Sequence, residues 1–134
     1  MLDKLNHIAI AVPSLQDAIT NYQNGFDVEV SSILDLPEHG VRTAFIKLSN
    51  TNIELLEPLG KESPISNFLK KNINGGIHHV CYEVANIKIA IEKLKEKKYF
   101  LLGDGIPRIG AHGKPVVFIH PKEFNSTLIE LEEV

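Results

Sequence analysis

Gly75-Gly76-Ile77-His78-His79-Val80-Cys81-Tyr82-Glu83-Val84 restates an earlier stretch, Leu5-Asn6-His7-Ile8-Ala9-Ile10-Ala11-Val12. His79 falls on His7, Val84 on Val12, Ile87 on Leu15, Ala90 on Ala18 and Ile91 on Ile19, each at a spacing of 72 residues. Self-similarity over half a chain marks a fold built twice. Within the first copy Ile8, Ile10 and Val12 alternate with His7, Ala9 and Ala11, the period of a strand. Each copy therefore opens with a strand carrying one histidine, His7 or His79.

Working outward, Pro13 stops the first strand. Ser14 then has the form of a helix N-cap, with Asp17 three residues on as an acidic variant of the capping box. Leu15, Ala18, Ile19 and Tyr22 give an amphipathic helix that is expected to end by Gly25. Phe26 to Leu36 reads as a second strand, Pro37-Glu38-His39-Gly40 as a turn, and 41–48 and 52–57 as two further strands. After Pro58-Leu59-Gly60, Ser63-Pro64 starts a connecting helix with Ile65, Phe68 and Leu69 on one stripe. The second copy follows: a strand over 77–84 and a helix bearing Ile87, Ala90, Ile91 and Leu94. A short strand over Tyr99 to Leu102, a loop from Gly103 to Gly113, and strands over 115–120 and 127–132 complete it. Phe45-Ile46 corresponds to Phe118-Ile119, and Ile53-Glu54-Leu55 to Ile129-Glu130-Leu131. The expectation is an α+β fold, one domain made of two tandem βαβββ modules (about 5–57 and 77–132).

Composition narrows the function. The chain has 134 residues, 43% hydrophobic and 23% charged, enough for one substantial core. A net charge of −3 argues against nucleic acid or an anionic membrane surface as the partner. No apolar run approaches the roughly 18 residues of a membrane span, and no secretory signal is visible. The single cysteine, Cys81, excludes an internal disulfide and fits a reducing compartment. The expected location is the cytoplasm.

Four residues carry the chemistry: His7, Glu54, His79 and Glu130, two histidine-to-glutamate pairs in equivalent places of the two copies. A lone strand histidine is usually a hydrogen-bonding partner, and a lone glutamate usually faces solvent. Duplication with matching context changes that balance. Two imidazoles and two carboxylates suit a divalent metal held by nitrogen and oxygen, with positions left for water or substrate, and the absence of thiolate argues against a closed structural zinc site. Co2+, Mn2+, Ni2+, Zn2+ and Mg2+ would all suit an octahedral site of this kind, and the ligands alone do not choose among them. By alternation Glu54 and Glu130 point away from their aliphatic neighbours. His7 shares its face with Ala9 and Ala11, small residues that leave room for a cavity. His112, in Gly110-Ala111-His112-Gly113, reads as a loop residue near a ligand. Cys81 reads as a small buried neighbour of the site.

With these stretches in place, the chain resembles the methylmalonyl-CoA epimerases of the vicinal oxygen chelate superfamily, to which glyoxalase I also belongs. LNHIAIAV, GGIHHVCYEV and LIELEE are shared across the superfamily. ELLEPLGKESPI and GAHGKPVVFIHPK are more specific to the epimerases. The resemblance implies a curved mixed sheet around a metal, the ligand set His7, Glu54, His79 and Glu130, and a homodimer. It also implies an acyl-CoA substrate whose (R) and (S) epimers interconvert by α-proton transfer through a metal-stabilised enolate. Some members carry a glutamate acid/base where this chain has Thr43, which cannot do that work. Glu130 and Glu54 are then the expected catalytic carboxylates, and His112, Gly113 and Lys114 the expected substrate contacts. A glyoxalase-I-like lactoylglutathione lyase would use the same ligands, and a metal-free binding protein of the superfamily would tend to lose them.

Overall fold

The computed structural model describes residues 1–134. Its elements are β1 (Leu2–Ala11), α1 (Leu15–Phe26), β2 (Leu34–Leu36), β3 (Val41–Lys47), β4 (Asn52–Pro58), α2 (Pro64–Lys71), β5 (Gly76–Val84), α3 (Ile87–Glu96), β6 (Arg108–Ile109), β7 (Pro115–Ile119) and β8 (Leu128–Glu133). Strand, helix and three strands thus occur twice, with α2 between the copies. Two compact units result, one formed by Ile8–His78 and the other by Met1–His7 with His79–Val134. The division runs through β1, so His7 falls in the same unit as the second copy. No helix is long and apolar enough to cross a membrane.

In the unit Ile8–His78 the strands lie in the order β2-β3-β4-β1. Leu15 and Ile19 of α1 pack with Val12, Ala44, Ile46 and Leu55, as the helical spacing requires. The other face holds Ala9, Ala11, Val41 and Leu56 together with Ile65 of α2. That arrangement corrects one expectation. Ala9 and Ala11 are fully buried beneath Ile65 and Leu56, so their small size admits a helix rather than a cavity.

In the other unit β5, β8, β7 and β6 follow one another, with β5 and β8 parallel and the remaining pairs antiparallel. Val84, Ile87, Ile91 and Leu94 close against Val117, Ile119 and Leu131. The helix starts repeat as faithfully as the strands. Ser14 accepts from the Asp17 amide and Asn86 from the Ile89 amide. Glu57 accepts from the Leu15 amide at 2.7 Å, and Glu133 from the Ile87 amide at 2.9 Å. A carboxylate at the end of each final strand therefore meets the positive end of its own unit's first helix.

Two strands were expected to be longer. The helix α1 runs to Phe26 and closes on Asp27 in the left-handed region (φ 53°), so the stretch read as a strand from Phe26 shrinks to Leu34–Leu36. Val28 and Val30 are apolar because they lie on the α1 cluster. Tyr99 to Leu102 makes only one bridge, Leu101 to Ile119, and Tyr99 stacks on Phe124 instead. Conversely, the presumed loop contains the short strand β6.

Gly75, which opens the repeated stretch, has φ +88°, and a Cβ there would collide with the Ala11 carbonyl oxygen. Gly75→Ala combines a disfavoured backbone with a clash against fixed main chain. It is expected to cost at least about 2 kcal/mol, read as a fall in Tm of roughly 6 °C or more by calorimetry.

Candidate metal centre

β1 and β5 bring His7 and His79 to one place, and β8 adds Glu130. The Nε2 atoms of the two histidines lie 3.2 Å apart. Glu130 Oε2 is 3.3 Å from His7 Nε2 and 3.0 Å from His79 Nε2. Donor atoms about 2.1 Å from one ion and at right angles to each other lie about 3.0 Å apart. All three residues are buried, with 2, 5 and 6% of their surface exposed. Lone pairs packed this closely away from water repel unless a proton or a cation lies among them. The donor set thus fits one face of an octahedral divalent ion.

Burial alone would raise the Glu130 carboxyl, but hydrogen bonds and charge from His7 and His79 outweigh it and hold the group at about 2, below its ordinary 4.5. A depressed folded value contributes stability above pH 4.5 that is lost as pH falls towards 2. The metal-free protein is therefore expected to lose about 3 kcal/mol across that window. In urea unfolding, Glu130→Gln should flatten this part of the pH profile.

The surroundings hold these groups in place. The Phe118 ring meets His79 edge-on, with centroids 5.5 Å apart. Cys81, fully buried and paired in register with Glu130, places its sulfur within 4.8 Å of the His7 and Glu130 donors. His112, from the β6–β7 turn, lies edge-on to His7 at 5.8 Å and binds Glu132 through Nδ1 at 3.1 and 3.2 Å. Gly113 and Lys114 form the rest of that turn, closed by Gly110 N–H to Lys114 O at 2.9 Å.

Glu54 occupies the corresponding position in the unit Ile8–His78. It is 5% exposed and pairs in register with Phe45, as Glu130 pairs with Phe118. Thr43 is fully buried on that same face of the sheet, and its hydroxyl has no hydrogen-bond partner. A cavity of about 370 Å³ lies on the α3 side of β5 and β8, lined by Tyr82, Leu94, Phe124, Ile129 and Leu131 among others. Since Tyr82, Ile129 and Leu131 alternate with Cys81 and Glu130 along β5 and β8, the cavity lies on the face opposite Glu130.

Two participants escaped the sequence reading. Asn6 accepts from His7 Nδ1 at 2.7 Å, and Glu132 is 5% exposed and bonded to both Asn6 and His112. Strict alternation assigns Asn6 to the face opposite His7, and Glu132 sits in an acidic run that resembles a solvated strand end. The one available sign was parity, since Glu132 shares its face with Glu130.

The family model for the glyoxalase/bleomycin resistance protein/dioxygenase superfamily matches residues 6–118. The chain is 57% identical over 134 residues to the ethylmalonyl-CoA/methylmalonyl-CoA epimerase of Cereibacter sphaeroides, covering 100% of both. It is 54% identical to the mitochondrial methylmalonyl-CoA epimerase of Dictyostelium discoideum, over 98% of this chain and 79% of that one. A solved structure of methylmalonyl-CoA epimerase in complex with methylmalonyl-CoA and NH4+ superimposes with a TM-score of 0.91 at 29% identity, covering 99% of this chain and 95% of that one. The protein belongs to the glyoxalase/bleomycin resistance protein/dioxygenase superfamily, in its methylmalonyl-CoA epimerase branch.

Proposed function

We propose that the protein interconverts (R)- and (S)-methylmalonyl-CoA by removing the proton between thioester and carboxylate and returning one to the opposite face. The observation that carries this reading is the buried, cis-spaced set His7, His79 and Glu130 in a chain so similar to epimerases of that substrate. Glu54 completes the set as a fourth ligand, supported by its equivalence to Glu130 in sequence, register and burial. A divalent ion in this set, Co2+ first among those suited to it, supplies Lewis-acid stabilisation of the enolate, worth several kcal/mol.

The chain's own residues supply the remaining requirements. Burial of the donors excludes water and strengthens each electrostatic contact. Epimerisation also needs a proton acceptor on each enolate face, and Glu54 and Glu130 fill these roles. A carboxyl held at about 2 is a poor base near neutrality, so Glu130 accepts a proton only while released from the two imidazoles. His112, beside His7, together with Gly113 and Lys114, contacts the substrate from the β6–β7 turn. The working protein is a cytoplasmic homodimer built from one domain of two modules.

The test is solvent exchange. Co2+-loaded protein mixed with methylmalonyl-CoA in D2O should exchange the α-proton far above the spontaneous rate, followed by NMR. Background exchange with metal bound would overturn the reading, and turnover of a glutathione hemithioacetal instead would move the assignment to lactoylglutathione lyase.

A further inference from the structure

The atom of His7 aimed at the metal centre is Nε2, so its usefulness as a ligand depends on where the ring carries its proton. In a neutral imidazole one nitrogen donates and the other accepts. The His7 Nδ1 lies 2.7 Å from Asn6 Oδ1. The other end of that carboxamide, Nδ2, donates to Glu83 Oε1 at 3.0 Å and to Glu132 Oε1 at 3.3 Å. Ionised carboxylates only accept, so they hold the amide with its nitrogen towards them and its oxygen towards His7. An amide oxygen also only accepts, so it requires a proton on His7 Nδ1. Of the two neutral tautomers only Nδ1–H meets this. In that form the shorter contact to Glu130, from His79 Nε2 at 3.0 Å, supplies the donated hydrogen bond, while the lone pair of His7 Nε2 faces the same point. Glu132 is itself oriented by His112 Nδ1 at 3.1 and 3.2 Å, which carries the chain of contacts back to the β6–β7 turn.

We infer that Asn6 is a positioning residue, an amide clamped by Glu83 and Glu132 that fixes His7 in the Nδ1–H tautomer and so presents Nε2 to a metal ion. Metal-bound histidines are commonly steered by a carboxylate on the remote nitrogen, and loss of such a partner typically weakens binding 10–100-fold. Here an amide is interposed between the carboxylates and the ring. It transmits orientation without placing a negative charge directly on the imidazole. The inference rests on the proposed metal role of His7 for its consequence, but not for the tautomer itself.

The experiment separates the two. 15N NMR of the metal-free full-length protein, at about pH 8, above the ordinary histidine range, reads the protonated nitrogen of His7 directly. The wild type should show Nδ1–H as the dominant form. Asn6→Ala should redistribute the proton between the nitrogens and weaken binding of Co2+, titrated alone, about 10–100-fold. Asn6→Ser, which lacks the clamped amide but keeps a small polar side chain, serves if the alanine variant fails to fold and should likewise loosen the Nδ1–H preference and weaken Co2+ binding. An unchanged His7 spectrum and unchanged Co2+ affinity in Asn6→Ala would overturn the inference. So would an Nε2–H ring in the wild type. A wild type that binds no Co2+ yet shows the Asn6-dependent tautomer would sink the metal reading and leave the positioning role standing.

Discussion

Stripping the metal with a chelator is expected to lower α-proton exchange in methylmalonyl-CoA by about 10³-fold or more, and His79→Ala should do the same. The magnitude follows from removing several kcal/mol of enolate stabilisation, with each 1.36 kcal/mol worth a factor of ten. His79 Nε2 stands 3.0 Å from Glu130 and 3.2 Å from His7, so its loss leaves a gap in the donor face and a buried carboxylate with only His7 beside it. Adding Co2+ back should restore the chelated wild type but not the variant. Exchange that survives both treatments would mean that proton abstraction does not depend on this centre.

The second large effect is expected at Glu54. Replacing it with glutamine keeps an oxygen that can still ligate, while removing the proton acceptor. Net epimerisation should fall by roughly 10²–10⁴-fold, the usual contribution of a positioned base, with bound metal near the wild-type level. Exchange should persist in one epimer and vanish in the other, because the opposite face keeps its own acceptor. Glu130→Gln should show the complementary preference. Equal, undiminished exchange of both epimers by Glu54→Gln would remove Glu54 from proton transfer.

Which parts of the molecule could be read from the chain follows from the range of the forces involved. The strand–helix–three-strand order was visible because alternation and helical spacing are local. The candidate site was legible because its residue types are written twice, at His7 and His79 and again at Glu54 and Glu130, and the structure brings His7, His79 and Glu130 of that set together. Tertiary packing decided the rest. Ala9 and Ala11 look like the lining of a cavity until Ile65 of the linking helix covers them. Val28 and Val30 look like strand residues until they are seen lying on the α1 cluster without a ladder. Asn6 carries no signal of its own, since its importance comes from Glu83 and Glu132, which reach it from distant parts of the sequence. The matching caps at Glu57 and Glu133 are hidden for the same reason, each meeting a helix more than 40 residues upstream.

The cut through β1 bears on how the protein is made. Residues 8–78 form one compact unit from an unbroken run of chain, whereas the unit holding His7, His79 and Glu130 joins Met1–His7 to His79–Val134. Contacts between such distant segments carry a high loop-closure cost and form slowly. On a translating ribosome His7 emerges first, yet it must wait for β8 to supply Glu130. The interval between His79 and Glu130 alone lasts roughly 3–10 s at about 5–20 residues per second. Nascent chains stalled before β8 would lack Glu130 and so the full proposed ligand set. The proposed ligand set is thus assembled only after β8 has been made.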